Sequence, residues 1–221
     1  LLSDFRSYFG LLKDGVNLRS SLENLPLSKL TTLQKSLKTR SVTSRVFVLG
    51  NGGSFDNSRW MTLMLRKLGI SAKVPGAMDD YFQTMYAQSY ASIYAEGLKQ
   101  DKISKGDNVI GISGSGNSAN VVNGLRYASD QGATIFAFGG RDGGKLKSVV
   151  PEENFLIVQN ICMEAIEDLH NFVFYILFRA LKEDLSIEVS HQKILAIYDG
   201  FLSDSNLELF QELAYGMIHS A

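Results

Sequence analysis

Cysteine and proline are scarce in this chain: one Cys and three Pro in 221 residues. A single thiol, Cys162, excludes an intrachain disulfide framework, so the fold must rest on its apolar core. A reducing cytoplasm is the expected compartment. The surrounding LIVQNICMEAI reads Cys162 as a small core residue. Net charge is lacking too, with 22 Lys and Arg against 23 Asp and Glu. No basic stripe with interleaved aromatics is present, which argues against nucleic acid as a partner. The stretch FVFYILFRAL is too short for a membrane span and is broken by Arg179, so no membrane partner is expected. The opening LLSDFRSYFG carries charges where a secretory signal needs an apolar run. Position 1 is not Met, which leaves room for preceding residues.

What is present is apolar and periodic. With 45% hydrophobic residues, a chain of this length can bury a sizeable core as one domain. Leu2, Phe5, Phe9 and Leu12 recur at helical spacing, as do Leu27, Leu30 and Leu33, with Pro26 between the two stretches. Short apolar runs at 45–50, 70–74, 107–113, 134–140 and 154–159 read as strands. Helical patterns follow Ser54 and cover 79–99, 118–131 and 161–183. Strands that are apolar throughout and alternate with helices predict a parallel sheet of about five strands covered on both faces, an α/β fold with an N-terminal helical arm. Residues 1–184 form the expected domain. Residues 185–221 are a tail with helical patches, HQKILAIY and LELFQELAYGMI.

Two strand ends share one design. VLGNGGS and GISGSGNS each close a strand in Gly, Ser and Asn and lead into a helix. Ligands of open parallel sheets bind beyond the carboxyl ends of strands. Glycine lets backbone N–H groups approach a ligand, and the helix N-terminus favours an anion. Ser113, Ser115 and Ser118 add hydroxyls that suit a phosphate monoester. Each loop alone also reads as a turn with an N-cap; two on one sheet edge favour the ligand reading. Neither loop is a P-loop, and Phe55 stands where a dinucleotide fingerprint needs its third glycine. No cofactor is expected. No metal is expected either, because the histidines lack ligand spacing.

GNGGS (50–54), ISGSGNSANVVNGLRYA (112–128) and GGRDGGKLK (139–147), in this order, resemble the sugar isomerase (SIS) family and most closely its phosphoheptose isomerase branch. The resemblance covers about residues 2–183. It implies a flavodoxin-like three-layer αβα sandwich, a phosphorylated sugar as ligand, and a homo-oligomer, tetramer or dimer, with sites between subunits. The phosphate loop of the family matches Ser113, Ser115, Gly116, Asn117 and Ser118, with Gly114 in place of a threonine. Asn51, Gly52, Gly53 and Ser54 match the loop at the sugar end. Asp142 to Lys145 match a structural turn beside the site.

The implied chemistry does not carry over. Aldose–ketose isomerisation needs groups that move a proton between adjacent carbons. Met64 stands at the family's glutamate, Trp60 at a helix histidine, Tyr175 at the catalytic histidine and Glu167 at a glutamine. His170 matches a family histidine that is not the usual catalytic group. Glu164, Glu167 and His170 recur every three residues on 161–183. They offer a base at Glu167 with an acid at His170 or Tyr175, or else an ordinary i, i+3 ion pair or a buried network at a subunit contact. Asp56 is another candidate for that work, with a first-turn acid favoured by the helix dipole as the alternative reading. Asp79 and Asp80 fall near an acidic sugar-contacting loop of the family. Tyr81, Tyr86, Tyr90 and Tyr94 read chiefly as packing or oligomer contacts, with sugar stacking as the alternative. The expected function is a phosphosugar isomerase with a rearranged acid/base pair. The alternatives are a non-catalytic sensor or adaptor and a phosphosugar lyase or etherase.

Overall fold

The computed structural model describes residues 21, 23–75 and 89–201. The proposed first helix (Leu2–Leu12), Asp79, Asp80, Tyr81, Tyr86 and the patch LELFQELAYGMI lie outside them.

Five short apolar runs form one parallel sheet: β1 (Val46–Leu49), β2 (Ala72–Lys73), β3 (Asn108–Ser113), β4 (Thr134–Gly140) and β5 (Phe155–Val158), in the order β2-β1-β3-β4-β5. Successive side chains of a strand point to opposite faces, and here both faces are covered. Val46, Val48, Ile110, Ile112, Phe136 and Phe138 join the core under α1 (Leu27–Thr39), α2 (Gly53–Lys67) and α5 (Met163–Lys182). Phe47, Leu49, Val109, Ile135 and Ala137 join the core under α3 (Ile93–Gln100) and α4 (Ala119–Asp130). The apolar runs form the parallel sheet covered on both faces that they predict, and the layers are those of the three-layer αβα sandwich that the resemblance implies. Each fully buried Leu, Ile, Val or Phe contributes about 1.5–3 kcal/mol, so the two-sided burial of β1 and β3 holds the centre of the sheet.

At the amino edge of the sheet, Asp107 joins β1 to β3. Its carboxylate accepts from Arg45 N at 2.8 Å, Arg45 Nη2 at 2.6 Å and Ser104 N at 3.1 Å. Burial pushes the Asp107 carboxyl up, and the hydrogen bonds from Arg45 and Ser104 outweigh it, leaving the group below its usual range.

The start of the tail is built into the same core. Gln34 Nε2 donates to Leu185 O at 2.8 Å, and Ile187, at the head of α6 (Ile187–Phe201), is buried against α5 and α1.

Candidate functional site

From β1 the chain runs to β2 on one side, then crosses to β3 on the other. In a sheet of order 2-1-3-4-5 this is the switch point, where the loops after β1 and β3 diverge and open a crevice. Leu49 pairs with Gly111, so segments 50–54 and 113–118 leave the same rim side by side.

The 113–118 segment is a tight turn. Gly116 N donates to Ser113 O at 2.9 Å, and Gly116 has φ +67°, a left-handed conformation. A Cβ there would stand 2.1 Å from Gly143 O, so only glycine fits. The 142–146 turn braces the segment: Lys145 N donates to Asn117 Oδ1 at 3.1 Å and Leu146 N to Gly116 O at 3.0 Å. The hydroxyls of Ser113 and Ser118 lie 3.0 Å apart and share one hydrogen bond. Ser115 Oγ accepts from Asn117 N at 3.2 Å, which leaves its O–H free to donate. Among the described residues, the N–H groups of Ser115, Ser118, Ala119 and Asn120 have no acceptor in the chain. These donors crown the N-terminus of the 12-residue helix α4, where the helix dipole favours negative charge.

The absent threonine has a physical account. A Cβ at Gly114 would meet Met163 Sδ at 2.4 Å, so a methionine at the head of α5 fills the space a side chain would need.

The 50–54 segment opens α2. Phe55 N and Asp56 N both donate to Gly52 O, starting the helix, and Ser54 is buried. Asn51 reaches across to α4, where its side-chain amide pairs with that of Asn120. The Glu167 carboxyl lies against Gly53, where a Cβ would stand 2.1 Å from Oε2. Burial, then the charges of Glu164 and Asp168, raise the Glu167 pKa above its ordinary value, against a hydrogen bond from Ser54 N–H. Asn57 Nδ2 donates to Glu167 O at 3.0 Å and fixes this turn of α5 on α2. The rim therefore brings together both loops and one carboxyl with an elevated pKa.

The other two candidates for acid/base work stand elsewhere. His170 has no exposed surface: Nε2 lies 3.1 Å from Gly139 O, and the ring is 6.1 Å from Phe138 and 6.5 Å from Phe174. Burial holds its pKa at about 4. The structure thus places His170 in the core, one helical turn beyond Glu167 and closed to solvent. Each three-residue step turns a helix back by about 60°, so two steps from the exposed Glu164 carry His170 by about 120° into the core. Tyr175 is 43% exposed, but its ring meets Trp60 edge-on at 6.0 Å, whereas the Glu167 carboxyl meets Gly53. Met64 is buried and lines an apolar groove with Met61, Leu65, Phe174 and Phe178.

Sequence reasoning did not single out Asn120, and it read Tyr94 chiefly as a packing or oligomer contact with sugar stacking as the alternative. Asn120 is 1% exposed on a helix face otherwise made of Val121, Leu125 and Ala128, and a buried amide among apolar residues is the signal that finds it. Among the described residues, no cluster of His, Cys, Asp and Glu could hold a metal ion, and no helix is long and apolar enough to cross a membrane.

No family model matches the chain. A phosphoheptose isomerase of Helicobacter pylori is 29% identical over 168 residues, covering 72% of this chain and 85% of that protein. Among solved structures, a phosphoheptose isomerase from Francisella tularensis superposes with a TM-score of 0.73 at 19% identity, covering 82% of this chain and 98% of the other. The NanR protein of Vibrio vulnificus, solved in complex with ManNAc-6P, gives 0.62 at 14% identity, with coverages of 92% and 71%. The fold is the parallel α/β sandwich of these solved structures. By sequence the chain is similar to phosphoheptose isomerases over most of its length.

Proposed function

We propose that this protein binds a phosphorylated sugar at the joint rim and isomerises it between aldose and ketose. Glu167 carries the reading, because its carboxyl with a raised pKa lies against the loop that would hold the sugar end. The phosphate ester sits on the hydroxyls and free N–H groups of 113–118, and the sugar end lies along Asn51, Gly52, Gly53 and Ser54. A single carboxylate on one face of the sugar can take the proton from one carbon and return it to its neighbour through an enediol. A pKa raised toward the working pH favours both halves of that transfer. The α2 N-terminus faces the negative charge that develops on the enediolate. His170 has no part in this step, and no metal or cofactor is invoked. Sites between subunits of a dimer or tetramer, in a reducing cytoplasm, complete the proposal.

One observation favours a second reading, a phosphosugar sensor without turnover. Trp60, Met64 and Tyr175 replace groups that the resemblance implies for chemistry with an aromatic and apolar ledge. NanR, solved with ManNAc-6P, shares the fold. Incubation with sedoheptulose 7-phosphate and other ketose phosphates in deuterated water separates the readings. The isomerase reading expects deuterium at C1 or C2, lost in Glu167→Gln. Binding with no deuterium uptake leaves the sensor, and no binding overturns both.

A further inference from the structure

We infer that Tyr94 is a positioning residue for the sugar end of the ligand, acting through Gly50 without touching the ligand. This rests on the phosphosugar reading above. Gly50 is buried one residue beyond Leu49, the last paired residue of β1. Its N–H and C=O therefore leave the ladder in a place closed to water, where an unpaired backbone group is costly. One side chain serves both: Tyr94 Oη accepts from Gly50 N at 3.2 Å and donates to Gly50 O. Tyr94 is 3% exposed on α3. The base of its side chain packs on α4, where a Cβ at Gly124 would stand 2.9 Å from Tyr94 Cβ. The next residue, Asn51, is tied to Asn120 of the same helix α4. Two successive residues of the 50–54 loop are thus held by hydrogen bonds from α3 and α4. The 113–118 loop is braced instead by the 142–146 turn, with no hydrogen bond from the Tyr94 hydroxyl. Removing the Tyr94 hydroxyl should loosen the sugar end and leave the phosphate end in place.

Tyr94→Phe keeps the ring and deletes only the hydroxyl. Wild type and variant are titrated with inorganic phosphate and with sedoheptulose 7-phosphate, and amide hydrogen exchange is followed in the absence of ligand. The expected result is an unchanged Kd for phosphate, a Kd for the sugar phosphate raised about tenfold, and exchange about tenfold faster at 50–53 but not at 118–120. A general loss of packing would move both affinities and both segments together, and would overturn the assignment. Unchanged exchange at 50–53 overturns it as well. If wild type binds sedoheptulose 7-phosphate no more tightly than phosphate, the phosphosugar reading fails, and the exchange comparison still decides whether Tyr94 fixes the loop.

Discussion

The side-chain amides of Asn51 and Asn120 lie head to tail across the rim. Asn51 Nδ2 donates to Asn120 Oδ1 at 2.8 Å, and Asn120 Nδ2 donates to Asn51 Oδ1 at 2.9 Å. Asn120 Oδ1 also accepts from Val121 N at 2.9 Å. One pair therefore joins the loop after β1 to the helix after β3 and holds the two halves of the site in register. Asn120→Ala leaves the Asn51 amide and Val121 N–H without these partners. We expect a loss of about 1–3 kcal/mol in urea unfolding, the cost of leaving buried polar groups unpaired. An unchanged midpoint would show that the pair is incidental.

Ser115 has a hydroxyl whose acceptor side is used by Asn117 N and whose proton is free. Ser115→Ala removes a hydrogen bond to a charged ester. Phosphosugar affinity should fall by about 1–3 kcal/mol, with little change in thermal stability. Calorimetric titration measures the first and a melting curve the second.

Glu167 is held where its charged form is disfavoured. Its folded pKa is raised, so its protonated form is favoured by folding, and stability falls as pH rises through that raised value. Glu167→Gln removes the charge and keeps an acceptor for Ser54 N–H. The variant should therefore melt higher than wild type at neutral pH and lose that advantage below the ordinary glutamate range. A variant that is more stable yet inactive in deuterium exchange is the expected signature of a strained functional carboxyl. Equal melting at neutral pH would contradict it.

His170 gives stability the opposite slope. Its pKa falls from 6.5 to about 4 in the folded protein, where burial keeps it neutral. The unfolded chain then binds more protons between these values, so stability decreases as pH falls from about 6.5 and levels off near 4. The contribution across this window is on the order of 3 kcal/mol at 1.36 kcal/mol per pH unit. Urea unfolding at several pH values should show a steeper acid loss for wild type than for His170→Gln, and parallel curves would contradict the assignment.

Much of this was legible in the residues themselves. The runs VFVL, NVIGIS and TIFAFGG are apolar without alternation because both their faces are covered, and they became β1, β3 and β4. Gly116 and its serines marked a turn opening a helix, and the order of the strands then set that turn beside GNGGS. The sequence order could not place His170. A three-residue ridge looks continuous along the chain but winds around the helix, from solvent at Glu164 to the core at His170. Tyr94 was hidden for a related reason. Within a Tyr-rich stretch, only the tertiary approach of α3 to the end of β1 separates the tyrosine that binds Gly50 from its neighbours.

The most direct test of the shared rim is a crystal structure with sedoheptulose 7-phosphate. We expect the phosphate oxygens to accept hydrogen bonds from Ser115 Oγ and from the N–H groups at 118–120, with the sugar chain running toward Asn51 and Glu167. A phosphate bound away from the α4 N-terminus, or a sugar directed away from the 50–54 loop, would contradict the account.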